Sequence, residues 1–236
     1  MPFAPLFPHS SHYLAPDFET FRNACAQLGL ELSEGYYRRL LQYADRLTDW
    51  NSRINLISRK DTGRILTYHV IDSLAAAQLI PPRARCCDIG TGAGLPGVPL
   101  AIVRPDVQII LVESLQKRCR FLTSVVEELG LNNVAVVWGR AESFEALACD
   151  IVLSRLTGPL RKTLKFLVRH AQPGGAIILY KNPAGAEPDG PLLGKLGLTV
   201  VRTLDLKLPF TFIPRRFVVL RRCPVREGSR VQGFAG

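Results

Sequence analysis

Apolar residues recur at helical spacing through the first 80 positions and in short unbroken runs after that, so the chain changes its structural period near residue 85. Residues 18–30 and 34–50 each carry an apolar stripe, the second as Tyr37, Leu40, Leu41, Ala44, Leu47 and Trp50, with Ser33 placed to cap its start. Leu28-Gly29-Leu30 separates the two. A third helical stretch over 62–79 sets Ile65, Leu66, Val70 and Leu74 on one face. It ends at Pro81-Pro82, because the residue before a proline is driven out of the helical region. From Arg85 onward, apolar runs at 86–89, 107–112, 134–138, 151–153 and 176–180 alternate with helical patterns near 96–103, 115–129, 141–147 and 158–170. Apolar strands separated by helices predict βαβ units, and hence an α/β fold whose parallel sheet is covered on both faces. A Pro/Gly-rich loop at 182–194 precedes two further β-rich runs at 198–204 and 216–221. The expected organisation is a disordered Pro-rich lead-in at 1–16, a helical cap at 17–82, an α/β domain at 83–222 and a basic flexible tail at 223–236.

Composition narrows this picture. With 47% hydrophobic and 21% charged residues, 236 residues can bury a core of ordinary size, which excludes a wholly disordered chain and a fibre. No run reaches the roughly 18 uncharged apolar residues of a membrane-spanning helix, and the first residues lack the basic and apolar regions of a secretory signal, so a soluble cytoplasmic protein is expected. The six cysteines (25, 86, 87, 119, 149 and 223) form no C-x-x-C pair. They read as small buried hydrophobes, with no metal site and no disulfide framework.

The formal net charge of +10 is unevenly placed. Residues 1–150 hold 15 Lys and Arg against 16 Asp and Glu, whereas residues 151–236 hold 15 against 4. The densest part runs Arg215, Arg216, Arg221, Arg222, Arg226 and Arg230, opposed only by Glu227. Such a concentration is the footprint of a polyanion partner, or else a solvated face with a solubilising tail.

Candidate chemistry centres on C-C-D-I-G-T-G-A-G-L-P-G at 86–97, a strand running through glycines into a helix. Two cofactor readings compete. From Gly92 the loop satisfies the G-x-G-x-x-G dinucleotide fingerprint through Gly94 and Gly97; from Asp88 it is D-x-G-x-G-x-G, which resembles the first motif of S-adenosylmethionine-dependent methyltransferases. A pyrophosphate takes the helix N-terminus, where Asp88 would repel it, whereas the sulfonium and ammonium of S-adenosylmethionine favour a carboxylate there. Glu113, 19 residues after Gly94, can accept hydrogen bonds from both ribose hydroxyls of either cofactor.

The stretch D-I-G-T-G-A-G-L-P-G-V-P-L-A-I-V-R-P-D (88–106), with L-V-E-S-L-Q-K-R-C-R-F-L (111–122), resembles the bacterial ribosomal RNA small subunit methyltransferase G family. So do W-N-S-R-I-N-L (50–56) and H-V-I-D-S-L (69–74) upstream, and W-G-R-A-E (138–142) and S-R (154–155) downstream. The resemblance covers about residues 25–222. It implies a seven-stranded, mostly parallel Rossmann-like sheet, S-adenosyl-L-methionine as cofactor, and methyl transfer to N7 of a guanine in small-subunit ribosomal RNA, free or in the 30S particle. It also implies that Gly90 and Leu95 line the methionine and ribose part of the cofactor, that Glu113 holds the ribose, that Ala141 and Glu142 flank the adenine, and that Arg155 belongs to the site. The chain departs from the family pattern at Leu156-Thr157-Gly158, at Asn182-Pro183 and at Ile57.

Guanine N7 has an in-plane lone pair and no proton to lose, so its methylation needs alignment rather than a general base. Cys149 and Cys223 have no nearby base in sequence, which disfavours covalent attack. Arg155 can donate to a guanine edge or to a phosphate. His69 and Asp72, three apart, share a helical face and read as an ion pair packing the cap onto the sheet. Lys117, Arg118 and Arg120, and Arg161, Lys162 and Lys165, are candidate phosphate contacts. A monomer without metal is expected. The rival readings are an NAD-dependent oxidoreductase and a non-catalytic RNA-binding module that senses the cofactor.

Overall fold

Asp17 and Ser33 cap the first two helices, each side chain accepting the backbone N–H three residues on. Helix α1 (Phe18–Gln27) buries Phe21, Ala24 and Cys25, and helix α2 (Glu34–Asn51) buries Tyr37, Leu40, Leu41, Tyr43, Ala44 and Leu47, the faces that spacing predicts. These elements come from a computed structural model that describes residues 13, 15–155, 158–185 and 188–224. Most of the expected lead-in and tail, together with Leu156 and Thr157, lies outside the described residues. Asn51 ends α2, because its Oδ1 accepts from the backbone N–H groups of Leu56 and Ile57. The third stretch is helical but broken: a 3-10 segment (Arg59–Arg64), a π-helical turn (Ile65–Val70), helix α3 (Ile71–Leu74) and a 3-10 turn (Ala77–Leu79).

The sheet is built from β1 (Arg85–Ile89), β2 (Gln108–Glu113), β3 (Val134–Trp138), β4 (Cys149–Ser154), β5 (Ala171–Lys181), β6 (Leu198–Lys207) and β7 (Pro214–Arg222). Helices α4 (Gly97–Val103), α5 (Gln116–Glu128), α6 (Leu160–His170) and α7 (Gly190–Lys195) connect it. Strand order is β3-β2-β1-β4-β5-β7-β6, with β1 to β5 parallel and β7 antiparallel to both its neighbours. This is the α/β, mostly parallel, seven-stranded sheet expected. The order reverses between β1 and β4, which opens a crevice at the strands' carboxyl ends.

Two cores cover the sheet. One joins α1, α2 and α3 to Cys86, Leu111, Leu153, Ile178 and Phe217, and the other joins α6 and α7 to Cys87, Val112, Val152, Ile177 and Val218. Adjacent cysteines thus serve opposite faces, since successive strand side chains alternate.

Besides the broken third stretch, two elements differ from expectation. The segment 141–147 forms only a 3-10 turn (Ala141–Ser143), because Arg169 donates to the carbonyls of Glu142 and Phe144 and His170 bonds that of Ala141, which withdraws them from a helical ladder. The 182–194 loop contains α7, capped by Asp189, with its proline in the first turn where a missing N–H costs nothing. Among the described residues no helix is long and apolar enough to cross a membrane, and no group of three or more metal-ligating side chains assembles.

Candidate active site

The loop between β1 and α4 takes the shape its glycines permit. Gly90, Gly92 and Gly94 have φ of +70°, +62° and +87°, the left-handed region that side chains rarely enter. A Cβ at Gly92 would meet only Arg118 Nη1 at 3.9 Å and the Gly90 carbonyl at 4.0 Å, ordinary van der Waals contact, so its backbone conformation rather than crowding calls for glycine. At Gly94 and Gly97, by contrast, a Cβ would strike Val98 and Leu111, which makes these two glycines packing positions.

Asp88 anchors the loop from beneath. It is buried, and its Oδ2 accepts from Thr91 Oγ1 at 2.6 Å and from the Gly97 N–H at 2.9 Å. Burial pushes its pKa up to about 6, against the opposing pull of those two hydrogen bonds. The first amide of α4 is therefore already bonded to a carboxylate. From above, helix α2 reaches the same loop, where the fully buried Tyr43 hydroxyl donates to the Ala93 carbonyl at 2.7 Å.

Glu113 ends β2 beside the loop. Its Oε2 accepts from the Gly92 N–H at 3.1 Å, with Arg118 Nη1 3.6 Å away. Its Oε1 accepts from the Leu115 N–H at 2.9 Å and from Ser114 Oγ at 3.3 Å. A carboxylate offers about four acceptor sites, so the Glu113 head is held in place with room for a further donor. Arg118 is in turn held by the Asn55 carbonyl of the cap, and its buried Nε has no partner.

Next to Glu113 a cavity of about 160 Å³ is lined by Ile89, Gly90, Val112, Ser114, Gly139, Arg140, Ala141, Glu142 and Phe166. That is below the roughly 300–1,000 Å³ of a whole-ligand pocket and suits one ring of a larger molecule. Gly90, Glu142 and Ala141 thus come together. Leu95 is buried in the loop on the cap side, among the core residues shared with α2. Arg169 and His170, which sequence reasoning missed, hold the 141–147 wall; the adjacent basic pair ending a helix opposite that segment was the only signal.

Arg155 follows β4 and is tied to the cap. Its Nη1 donates to Ser73 Oγ at 3.3 Å, and its Nη2 lies 3.4 Å from Asp72 Oδ2. Asp72 is buried and already clasped by Arg215 of β7, through Nε at 2.6 Å and Nη2 at 3.0 Å. The expected His69–Asp72 ion pair is not formed. His69 faces Asp61 at 3.7 Å, and burial together with the positive charge of Arg155 pushes its pKa down to about 4, leaving it neutral. Neither of its ring nitrogens has a hydrogen-bond partner.

Four arginines of the expected polyanion footprint also bond within the fold. Arg215 holds Asp72, Arg216 holds Asp205, Arg221 donates to the Gly174 carbonyl and Arg222 to those of Val168 and Ala171. Arg226 and Arg230 lie outside the described residues. Lys117, Arg120, Lys162 and Lys165 are exposed in the opening turns of α5 and α6, which begin at the strands' carboxyl ends; Arg161 lies 3.5 Å from Asp189. Cys149 is buried at the opposite, amino end of β4.

Residues 36–187 match the family model described as GidB, rRNA small subunit methyltransferase G. Over 204 residues the chain is 35% identical to the ribosomal RNA small subunit methyltransferase G of Neisseria meningitidis serogroup B, spanning 86% of this chain and 98% of that protein. It is 35% identical over 174 residues to the protein of the same name from Clostridium kluyveri, covering 71% of this chain and 73% of that one. Among solved structures, a SAM dependent methyltransferase from Aquifex aeolicus superposes with a TM-score of 0.51 at 17% identity, over 74% of this chain and 98% of the other. TYW2 from M. jannaschii, solved in complex with AdoMet, superposes with a TM-score of 0.53 at 15% identity, over 72% and 78%. At those identities the structural likeness is one of fold.

Proposed function

The chain belongs to the ribosomal RNA small subunit methyltransferase G family, and we propose that it transfers the methyl group of S-adenosylmethionine to N7 of a guanine in small-subunit ribosomal RNA. The observation that carries the choice of cofactor is Asp88. Its carboxylate occupies the first amide of α4, so the helix N-terminus offers no seat to the pyrophosphate of a dinucleotide. A negative charge at the end of β1 suits a cationic ligand instead.

The residues fit that cofactor. Glu113 would accept the ribose hydroxyls, Gly90 and the bare backbone of Gly92 would admit close approach, and the cavity walled by Ala141 and Glu142 would take the adenine. When bound, S-adenosylmethionine supplies an electrophilic methyl on sulfur. The chain's own work is alignment and exclusion of water, because an N7 lone pair has no proton to give up. Arg155 would hold the guanine O6 or a neighbouring phosphate. Its release from the cap does not strand a buried anion, since Arg215 keeps the fork on Asp72.

Labelled methyl transfer to under-methylated small-subunit RNA and to 30S particles, followed by mapping of the modified base, tests the reading. Label on a guanine N7 is expected, together with thermal stabilisation by S-adenosylhomocysteine and indifference to NADH. Stabilisation by NADH alone would return the glycine loop to the dinucleotide reading, and RNA binding without any transfer would make the chain a binding module.

A further inference from the structure

Between β6 and β7 the chain turns through residues 208–213. This turn lies at the same sheet edge as the carboxyl ends of β1, β2, β4 and β5, because β7 runs antiparallel to β5 and pairs Arg216 with Lys181. Its own backbone closes it: Leu208 N–H donates to the Ile213 carbonyl at 2.9 Å, and Phe212 N–H to the Leu208 carbonyl at 2.8 Å. Two anchors hold it down. Leu208 is fully buried, and the Phe210 ring stacks on Phe21 of α1 with centroids 6.1 Å apart.

Phe212 stands out from that anchored turn. Its side chain is 73% exposed, the most of any large hydrophobic residue described, and its φ of +53° places a bulky residue in the left-handed region, as does the +67° of Phe210. Such backbone costs free energy and persists only where the surroundings impose it. Tyrosine or tryptophan in water could be explained by a polar tip, but a phenyl ring has none. A fixed turn that keeps a bare aromatic ring in solvent is the arrangement of a contact residue.

We propose that Phe212 is a stacking platform for an unpaired RNA base close to the methylated one. This rests on the reading of the chain as an RNA methyltransferase. Proteins recognise unpaired RNA bases largely by stacking them on aromatic side chains, and every base has a π face, so a ring without polar groups suffices. The position agrees. Three residues along, Arg215 clasps Asp72, and Asp72 lies 3.4 Å from Arg155, so the turn is joined to the Arg155 centre through one carboxylate. Lys207, exposed where the turn begins, supplies a cation for a neighbouring phosphate.

Steady-state methyl transfer by the full chain, with naked under-methylated RNA and with 30S particles, is to be compared for wild type, Phe212→Ala and Phe212→Trp. Phe212→Ala is expected to raise KM for both substrates about tenfold, with kcat, melting temperature and S-adenosylhomocysteine affinity unchanged. Phe212→Trp is expected to restore KM, since an indole also stacks. An unchanged KM in Phe212→Ala overturns the proposal. A rise confined to 30S particles also overturns it, by assigning the ring to a ribosomal protein. Wild-type enzyme that methylates neither substrate instead overturns the methyltransferase reading beneath it.

Discussion

Asp88 and Glu113 are both buried carboxylates at the ends of neighbouring strands, and their surroundings give them different work. Asp88 serves the protein: it bonds Thr91 and Gly97, and burial still pushes its pKa up to about 6. An unfolded aspartate titrates near 3.9, so between about pH 4 and pH 6 the folded chain binds more protons than the unfolded one at this site. Its contribution to stability therefore falls as pH rises through that window. Asp88→Asn keeps an acceptor oxygen and removes the charge, so denaturant unfolding from pH 4 to 7 should show a flatter profile than wild type; parallel profiles would clear Asp88 of that role. Glu113 is held by the amides of Gly92 and Leu115, and the proposed function gives its remaining acceptor capacity to the ribose. Glu113→Ala should weaken S-adenosylhomocysteine by about 1–3 kcal/mol, the penalty of leaving ribose hydroxyls unpaired. Calorimetric titration decides it, and an unchanged dissociation constant would take Glu113 out of the site. Strand-loop spacing made the position of Glu113 at the end of β2, beside the glycine loop, legible in the sequence. The anchoring bonds of Asp88 lie within its own loop, as expected of a loop-capping carboxylate, whereas the grip of Arg169 and His170 on the 141–147 wall joins residues too far apart in sequence for a local pattern to reveal.

At the scale of elements, β7 carries two arginines in succession whose side chains emerge on opposite faces. Arg215 is 15% exposed and forks onto a fully buried Asp72, while Arg216 pairs with the half-exposed Asp205. Removing one partner of a buried pair leaves an uncompensated charge and costs about 3–5 kcal/mol. Surface pairs contribute little. Thermal melts should accordingly show Arg215→Met strongly destabilised and Arg216→Met close to wild type. Comparable shifts for the two would mean that Arg155 neutralises Asp72 without Arg215. Every strand was legible from its apolar run, and α1, α2, α4, α5 and α6 from periodicity. What escaped was decided by tertiary contact. The 62–79 stretch looked like one helix because its apolar spacing is continuous, yet it breaks into four segments around a π-helical turn. The 141–147 pattern lost its helix to the side chains of α6.

Over the whole molecule, net charge was a poorer guide than placement. The C-terminal excess predicts a polyanion partner, and Arg215, Arg216, Arg221 and Arg222 in addition bond to the protein's own carboxylates and carbonyls. The exposed cations at the strands' carboxyl ends include Lys117, Arg120, Lys162 and Lys165. Each phosphate contact to single-stranded nucleic acid contributes a slope of about 0.7 in log affinity against log salt. The double change Lys162→Ala with Lys165→Ala should thus flatten the salt dependence of RNA binding by about 1.4 units, whereas Arg222→Ala should leave it unaltered. Equal slopes for the lysine variant and wild type would place the phosphate track elsewhere. The two guanidiniums that share Asp72 add a different kind of charge. Arg155 and Arg215 against one carboxylate leave a surplus positive charge, mostly shielded from solvent, where counterions reach it poorly. If Arg155 contacts RNA as proposed, the association rate should fall steeply as ionic strength rises while the dissociation rate stays nearly constant, which stopped-flow binding at several salt concentrations checks.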